Sequence, residues 1–377
     1  MKVIHLISGG DSGGAKTHVH SLLRHLSRRM DVTMVCFIDG PFAREARELG
    51  IRTEIVEGRR PLRALKRLRA MVAEEGYDII HCHGSRGNMM GALLARSARL
   101  PLVTTVHSDY RLDYLGRPLS RLTYGTINAL ALRRMDYRIG VSDAMVDLLI
   151  ARGFNPDRLF AIYNGLDFSP RPVAAPREAY LRAQGLHADG DCVVVGIAAR
   201  LDAVKDVGTL IRGFAKAREA CPQLRLLIAG EGGQGEELRA LAARLIPQAG
   251  ICRFTGWISD VDTFYNAIDI NALTSLSETF PYALTEGARA GLPTVSSRVG
   301  GVPYLIDNGV NGLLFEPGDV ETLARHLIAL ASDSALRAQM GGRLYRKAKA
   351  EFSLEATVAR QMEIYETVLR RERRAKG

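Results

Sequence analysis

Short apolar runs alternate along the chain with segments whose apolar residues recur every three or four positions. The first run is "KVIHLIS", and the helically spaced "KTHVHSLLRHLSRR" follows it. "DVTMVCFID", "DIIHCHG", "PLVTTVHS" and "YRIGVS" repeat the apolar runs. Unbroken apolar runs indicate strands buried on both faces, and their alternation with helices is typical of a parallel sheet. The pattern therefore predicts an α/β fold.

The alternation pauses once and then starts again. "SPRPVAAPRE", rich in proline and polar residues, precedes the buried run "CVVVGIAAR", after which strand and helix signals resume. A chain of 377 residues is also too long for one ordinary core. We therefore predict two tandem, doubly wound Rossmann-like domains, with ligands at the carboxyl ends of their strands. The predicted parts are a first domain at 1–168, a linker at 169–178, a second domain at 179–353 and a final helix at 354–377.

Composition narrows the class of protein. Hydrophobic residues make up 47% and charged residues 24% of the chain, as in folded globular proteins. No apolar stretch approaches the roughly 18 residues that a membrane-spanning helix needs. The five cysteines are scattered and odd in number, so they do not suggest a disulfide framework. These features predict a cytoplasmic protein.

The net charge of +10 is concentrated in the first half of the chain, which suggests an anionic partner. The basic run at 59–71 has no interleaved aromatic residues for base stacking, so nucleic acid is disfavoured. For the predicted helix at 59–75, a solvated helix face is the favoured interpretation. Peripheral contact with an anionic membrane is the alternative.

Glycines stand at the first strand-to-helix turn, in "ISGGDSGGAKTHV". Gly13 and Gly14 would let backbone N–H groups approach an anion at the helix start. A plain tight turn is the alternative. The spacing is not G-x-G-x-x-G, so a nicotinamide cofactor is disfavoured even though Asp39 follows the second strand.

Two cations occupy the corresponding turn of the second domain, in "AARLDAVKDVG". Arg200 follows the strand and Lys205 precedes the helix, so both could neutralise a diphosphate and stabilise it as a leaving group. An ordinary surface loop is the alternative. The next glycine turn, "GEGGQG", carries Glu231 and would either approach a nucleotide or simply end a strand.

Two glutamates stand nearly alone among apolar residues in "SETFPYALTEGARAG". Glu278 is expected in a loop and Glu286 in the second turn of a helix that begins near Pro281. Even on one helix, positions eight apart differ by about 80° around the axis, so the two carboxylates should reach different parts of a ligand. Hydroxyls of a sugar and a ribose are plausible partners, and two solvated glutamates are the alternative. The free N–H groups from Thr279 through Phe280 to Tyr282 could also bind an anion.

Histidines follow two strands of the first domain. His107, after "TTV", could donate to a substrate hydroxyl or phosphate. His81, Cys82 and His83 suggest zinc, but adjacent ligands without a matching pair elsewhere lack the spacing of a zinc site. "SDVD" suggests magnesium, although an N-cap role for Ser259 or Asp260 is favoured.

Together these motifs resemble the retaining GT-B glycosyltransferases of family 4, also called glycosyl transferases group 1. The similarity extends over nearly the whole chain and includes "TVHSD", "NGLD", "ARLDAVKD", "GEGGQGEEL", the E-x7-E pair and "GGVPYLIDNGVNGLLFEPGD", in family order.

The resemblance implies a metal-independent hexosyltransferase with no cofactor, two Rossmann-like domains and an interdomain cleft. Arg200 and Lys205 would hold the donor diphosphate with help from the backbone at Gly14, and Glu286 would bind the ribose. Glu278 would contact hydroxyls of the transferred sugar, and His107 would lie near the reacting centre. The acceptor would be a saccharide or a lipid-linked molecule on the more basic first domain, and the final helix would return to that domain.

Two departures from the family pattern concern the pocket. Tyr304 stands where many relatives have an acidic residue, and Pro281 with Tyr282 replaces a commoner glycine-containing version. Three other interpretations remain at this point: a sugar-nucleotide epimerase, a non-catalytic nucleotide-sugar-binding subunit and a nicotinamide dehydrogenase.

Overall fold

The computed structural model describes residues 1–10, 14–58, 60–107, 126–187, 190–278 and 280–376. The chain divides into two compact units, one made of Met1–Gly165 with Leu354–Gly377 and the other of Leu166–Ser353. Each unit contains a parallel sheet covered by helices, which confirms the predicted α/β fold with two Rossmann-like domains. The segment 169–178, predicted as a linker, belongs to the second unit, and a helix begins at its ninth residue.

In the first unit, strands and helices alternate as the pattern predicts. Its described strands are β1 (Lys2–Ile7), β2 (Asp31–Cys36), β3 (Thr53–Ile55), β4 (Ile79–His83), β5 (Leu102–Val106), β6 (Tyr137–Gly140) and β7 (Leu159–Ala161). Its described helices are α1 (Gly14–Leu26), α2 (Pro41–Glu48), α3 (Pro61–Glu75), α4 (Gly84–Ala98), α5 (Thr126–Arg134), α6 (Asp143–Ala151) and, at the end of the sequence, α15 (Leu354–Lys376).

The strand order in this unit is β3-β2-β1-β4-β5-β6-β7, and the paired strands are parallel. Because side chains alternate along a strand, the two faces of the sheet carry different residues. Val3 and Ile7 of β1 pack with α1, α2 and α15 on one face, whereas Ile4 and Leu6 pack with α3 and α4 on the other. The last helix is therefore part of the core of the first unit.

In the second unit the described strands are β8 (Val193–Ala198), β9 (Leu224–Ala229), β10 (Cys252–Gly256), β11 (Ile270–Leu273), β12 (Thr294–Ser297) and β13 (Leu313–Phe315). Its described helices are α7 (Arg177–Ala183), α8 (Val207–Ala220), α9 (Gly235–Leu245), α10 (Val261–Ala267), α11 (Tyr282–Arg289), α12 (Val302–Leu305), α13 (Val320–Ser332) and α14 (Ser334–Glu351). Short 3₁₀ turns occupy Pro156–Arg158 in the first unit and Ala203–Lys205 in the second.

The strand order in the second unit is β10-β9-β8-β11-β12-β13. Strand β8 lies between β9 and β11, and all three run parallel. Their carboxyl ends consequently meet at one edge of the sheet, where parallel doubly wound folds bind ligands. The loops that leave this edge contain most of the site residues predicted for this unit.

Two elements of the first unit are not indicated by the sequence pattern. Strand β3 has three half-buried residues at the edge of its sheet, too few for a recognisable apolar run. Helix α4 contains several glycines, which disfavour helices. Two of them allow close packing: a Cβ on Gly87 would lie 2.3 Å from the carbonyl oxygen of Leu6, and one on Gly91 would lie 2.3 Å from Cys82 Sγ.

Candidate active site

The site in the second unit is built on the loops that follow β8, β9 and β11. The loop after β8 carries Lys205, and the loop after β11 carries Glu278. The two loops are joined by their backbones, since the Leu276 amide donates to the carbonyl oxygen of Val204 at 2.8 Å. In addition, the Thr274 hydroxyl donates to the carbonyl oxygen of Lys205 at 3.0 Å. Two loops about 70 positions apart in the sequence thus lie side by side at the carboxyl edge of the sheet.

Glu278, in its predicted loop, has two protein partners. Lys205 Nζ donates to Glu278 Oε1 at 2.6 Å, and Ser275 Oγ donates to the same oxygen at 2.6 Å. The side chains of Lys205 and Glu278 are only 19% and 10% exposed. A partly buried carboxylate needs such partners because its desolvation is costly. The pair brings together the cation predicted to bind the diphosphate and the carboxylate predicted to bind the sugar.

The backbone of Glu278 lies against the glycine pair of "VGGVP". Gly300 has φ +48°, and a Cβ at this position would lie 1.6 Å from the carbonyl oxygen of Glu278. A larger residue at position 300 would have to shift its own backbone or the loop that carries Glu278. The glycine therefore fixes how closely the loop after β12 approaches the site.

Glu286 lies in the second turn of α11, as the sequence predicts, and it is partly buried. The Tyr265 hydroxyl donates to Glu286 Oε2 at 3.2 Å. Burial raises the pKa of Glu286 above its ordinary value, while the bond from Tyr265 and the charge of Arg289 act in the opposite direction. Among the described residues, the buried hydroxyl of Tyr282 has no hydrogen-bond partner, and burial, with the charge of Glu286, raises its pKa.

Arg200 and Glu231 are exposed and take no part in the Lys205–Glu278 pair. Arg200 is 77% exposed in its side chain and contacts the Asp202 carboxylate at 2.9 Å. Glu231 Oε1 accepts from the Trp257 amide at 3.4 Å. The glycine turn that carries Glu231 packs on the Arg200 loop, since a Cβ on Gly232 would lie 2.3 Å from the Leu201 carbonyl oxygen. Close backbone packing thus accounts for a glycine there without any ligand.

Among the described residues, the others predicted to bind the sugar-nucleotide donor do not join the Lys205–Glu278 pair. Gly13 and Thr279 lie outside the described residues, and Gly14 begins α1. Phe280 is buried, and its ring stacks on Phe352 with ring centroids 5.0 Å apart, so only its backbone is available to a ligand. Pro281 is the residue that precedes the first turn of α11.

The "SDVD" segment has the structural role that the sequence favours. Asp260 caps α10 by accepting from the Thr263 amide at 3.0 Å, which confirms the N-cap prediction. Asp262 pairs with Arg289. Both carboxylates are therefore engaged by protein groups.

His107 lies directly after β5 in the first unit, with its Nε2 atom 3.4 Å from His83 Nδ1. Burial lowers the pKa of His107 to about 4, so its imidazole is neutral at neutral pH. Sequence reasoning missed two nearby histidines. His18 of α1 has its ring centroid 5.4 Å from that of His107, and His5 of β1 contacts His83.

His5, His81 and His83 form a buried group whose candidate ligand atoms lie within 4.8 Å of one another. The third histidine comes from another strand, so spacing along the sequence could not reveal it. The rings of His81 and His83 are stacked, 4.4 Å apart and inclined by 17°, and those of His5 and His83 are also inclined by 17°. Nitrogen lone pairs lie in the ring plane, so nearly parallel rings are poorly arranged to converge on one ion.

Comparisons with known proteins identify the family. The model of "Glycosyltransferase Family 4" matches residues 12–169, and that of "Glycosyl transferases group 1" matches residues 182–347. The chain belongs to the GT-B glycosyltransferases of family 4, group 1. It is therefore a glycosyltransferase, as the resemblance implies.

Individual relatives agree with the assignment to this family. The D-inositol 3-phosphate glycosyltransferase of Kribbella flavida is 27% identical over 325 residues, which cover 81% of this chain and 74% of that protein. The solved structure of Anabaena HepE in complex with UDP has a TM-score of 0.81 and 24% identity, covering 97% of this chain and all of that one. HepE is also known in complex with UDP-glucose.

No helix in the described ranges is both long enough and apolar enough to span a bilayer.

Proposed function

We propose that this glycosyltransferase moves a hexose from a nucleotide diphosphate sugar to an acceptor hydroxyl with retention of configuration and without a metal ion. The observation that carries the proposal is the Lys205–Glu278 pair at the carboxyl ends of β8 and β11, where doubly wound folds bind ligands. HepE binds UDP and UDP-glucose, so a uridine donor is the first to test.

The pair suggests how the charges at the site are compensated. Lys205 neutralises Glu278 through their ion pair. On donor binding, Lys205 and the exposed Arg200 would turn to the diphosphate, while Glu278 would accept from sugar hydroxyls. Glu286 would accept from the ribose, at the other side of the diphosphate.

In the transfer step, the bond from the anomeric carbon to the phosphate oxygen breaks and the bond to the acceptor oxygen forms on the same face. The acceptor proton passes to the departing phosphate. The two cations stabilise the negative charge that develops on the phosphate, so no protein nucleophile is required. The acceptor, a saccharide or a lipid-linked molecule, would bind to the more basic first domain.

The test uses the single tryptophan of the chain, Trp257, whose amide contacts Glu231 beside the predicted donor site. Titration with UDP, GDP and ADP, with and without EDTA, should change its fluorescence for one nucleotide only. The same nucleotide should raise the melting temperature by mass action. The cognate sugar nucleotide is then incubated with candidate acceptors, and NMR identifies the anomer formed.

Each outcome separates the proposal from its rivals. Transfer with the anomeric configuration of the donor, undiminished by EDTA, supports it. Loss of activity in EDTA or an inverted product would disprove the metal-independent or the retaining part. Conversion of the sugar nucleotide without any acceptor would indicate an epimerase instead.

A further inference from the structure

The face of the first sheet that packs on α1 and α15 carries polar groups where a core is normally apolar. Parallel register pairs His5 with His81 and His83 with Thr105, so these side chains share one face. The four are at most 2% exposed. Alternate residues of β1, β4 and β5 thus build a polar line inside the core, and helix α15 contributes Tyr365 to it.

These side chains form one continuous set of hydrogen-bonded contacts, here called the histidine network. Its members, in order of contact, are Thr105, His81, Tyr365, His5, His83 and His107. The successive distances between the heavy atoms are 2.8, 2.5, 3.3, 3.0 and 3.4 Å. The last member, His107, is the residue that the family resemblance implies near the reacting centre.

Proton counting leaves the network only two arrangements. Burial lowers the pKa of every imidazole in it, to about 3 for His5 and about 4 for His107, so each ring is neutral. A neutral imidazole has one N–H and one acceptor nitrogen, and a hydroxyl has one proton to donate. Accepting from both rings would leave the buried Tyr365 O–H without an acceptor, which is costly. Every contact must therefore point the same way along the network, either from Thr105 towards His107 or from His107 towards Thr105.

The contacts of Tyr365 select between the two directions. Its oxygen lies 2.5 Å from His81 Nδ1 but 3.3 Å from His5 Nε2. Hydrogen bonds donated by a hydroxyl are shorter than those donated by N–H. Tyr365 thus donates to His81 and accepts from His5 Nε2–H.

The direction then follows for every other member. His5 Nδ1 accepts from His83 Nε2–H, and His83 Nδ1 accepts from His107 Nε2–H. At the far end, His81 Nε2–H donates to Thr105.

We infer that the histidine network holds His107 as its Nε2–H tautomer, so that Nδ1 of His107 is an acceptor for a substrate hydroxyl and not a donor. Tyr365, His5 and His83 are then positioning residues that act through His107. The tautomer itself is a property of the first unit alone, whereas its importance for transfer rests on the function proposed above. It also reverses the donor role that the sequence suggested for His107.

The experiment measures the tautomer directly in the full-length protein without donor. Long-range ¹H–¹⁵N spectra of ¹⁵N-histidine-labelled protein distinguish Nδ1–H from Nε2–H rings, and the nine histidines are assigned by single substitutions. The wild-type protein should show His107 as Nε2–H. An Nδ1–H signal for His107 in the wild type would overturn the inference.

Tyr365→Phe tests the direction of the network. It leaves the buried His5 Nε2–H without an acceptor, which is costly, so the protons should reverse and His107 should shift towards Nδ1–H. If a tenth of the molecules keep the competent tautomer, kcat falls about tenfold. The affinity for the nucleotide that binds the wild type, read from Trp257, should not change. An unchanged His107 tautomer in a folded Tyr365→Phe protein would overturn the inference.

Thr105→Val is the second variant, in case Tyr365→Phe does not fold. It removes the acceptor of His81 Nε2–H at the other end and should reverse the same protons. Tyr137→Phe is the matched control, because the Tyr137 hydroxyl donates to Glu372 on the same helix α15 but lies outside the network. It should leave the His107 tautomer and kcat unchanged.

Metal binding is the competing outcome. Stoichiometric zinc in the purified protein, or loss of the His5 and His83 signals when zinc is added, would show that the group binds an ion and would overturn the inference. A protein with the expected tautomers but no nucleotide binding would instead contradict the proposed function alone.

Discussion

Both units place polar side chains on a parallel sheet, but at the strand ends in the second unit and inside the core in the first, and with different electrostatics. In the second unit, Lys205 and Glu278 are a charged pair at the strand ends. In the first unit, the histidine network consists of neutral imidazoles and hydroxyls. A site that meets a diphosphate needs charge, whereas a buried line of polar groups is compatible with a core only when each group is neutral and hydrogen-bonded.

The histidine network and Glu286 respond to pH in opposite directions. Burial lowers the pKa values of the network histidines, so the unfolded state binds more protons than the folded state below about pH 6.5. Stability is therefore lost as the pH falls. Burial raises the pKa of Glu286, so its contribution is full below the ordinary pKa of 4.5 and is lost as the pH rises.

The largest expected effect is acid destabilisation of the first unit. Each buried histidine should cost about 1.4 kcal/mol of unfolding free energy per pH unit below 6.5, until the folded-state pKa is reached. Hydrogen exchange at pH 7 and pH 5.5, corrected for the intrinsic rates, should show β1, β4 and β5 losing protection. Peptides from β8, β9 and β11 are the internal control. Equal loss in both units would contradict the comparison.

Glu278→Gln should lower kcat about 10²- to 10³-fold, because it removes the carboxylate proposed to contact the sugar and leaves Lys205 without its charged partner. Nucleotide affinity, measured by Trp257 fluorescence, should change much less. Glu321→Gln is the matched control, since Glu321 pairs with Lys216 at the surface of the same unit. Full activity of Glu278→Gln would remove Glu278 from the mechanism.

Glu286→Gln should weaken nucleotide binding about tenfold, the loss of one hydrogen bond to a charged acceptor. It should also remove the loss of stability that ionisation of Glu286 causes above pH 4.5. The melting temperature of the variant should therefore increase relative to that of the wild type as the pH rises from 5 to 8. Glu236→Gln, at an exposed carboxylate on α9, should change neither quantity. An unchanged affinity would refute the assignment of Glu286 to the nucleotide.

The smallest effect is expected from the basic helix α3. We expect a solvated face formed by Arg63, Lys66 and Arg67, so reversing all three charges should leave transfer to a water-soluble acceptor unchanged. Leu62 of the same helix is 84% exposed, so the alternative of peripheral contact with an anionic membrane is also measured. Co-sedimentation of the wild-type protein with anionic vesicles, lost in the triple variant and in high salt, would establish membrane contact instead.

Local patterns predicted much of the architecture. Apolar runs and helical spacing indicated both parallel sheets, and the cap at Asp260 followed from the residues next to it. The separation of Glu278 and Glu286 was also predictable, since a loop and a second helical turn are local features. Strand β3 and helix α4 were not predictable from local patterns. Strand β3 is a short strand at the edge of its sheet, and the glycines of α4 are accommodated by close tertiary packing.

The sequence by itself determined which residue types stand at each strand end and which face of a strand each one occupies. Only the tertiary structure decided their partners: Lys205 for Glu278, 73 positions away, and Tyr365 for His81, 284 positions away. The physical reason is that parallel strands and a returning helix bring together residues far apart along the chain. These neighbours decide whether a buried polar group is charged or neutral, and whether it donates or accepts a hydrogen bond.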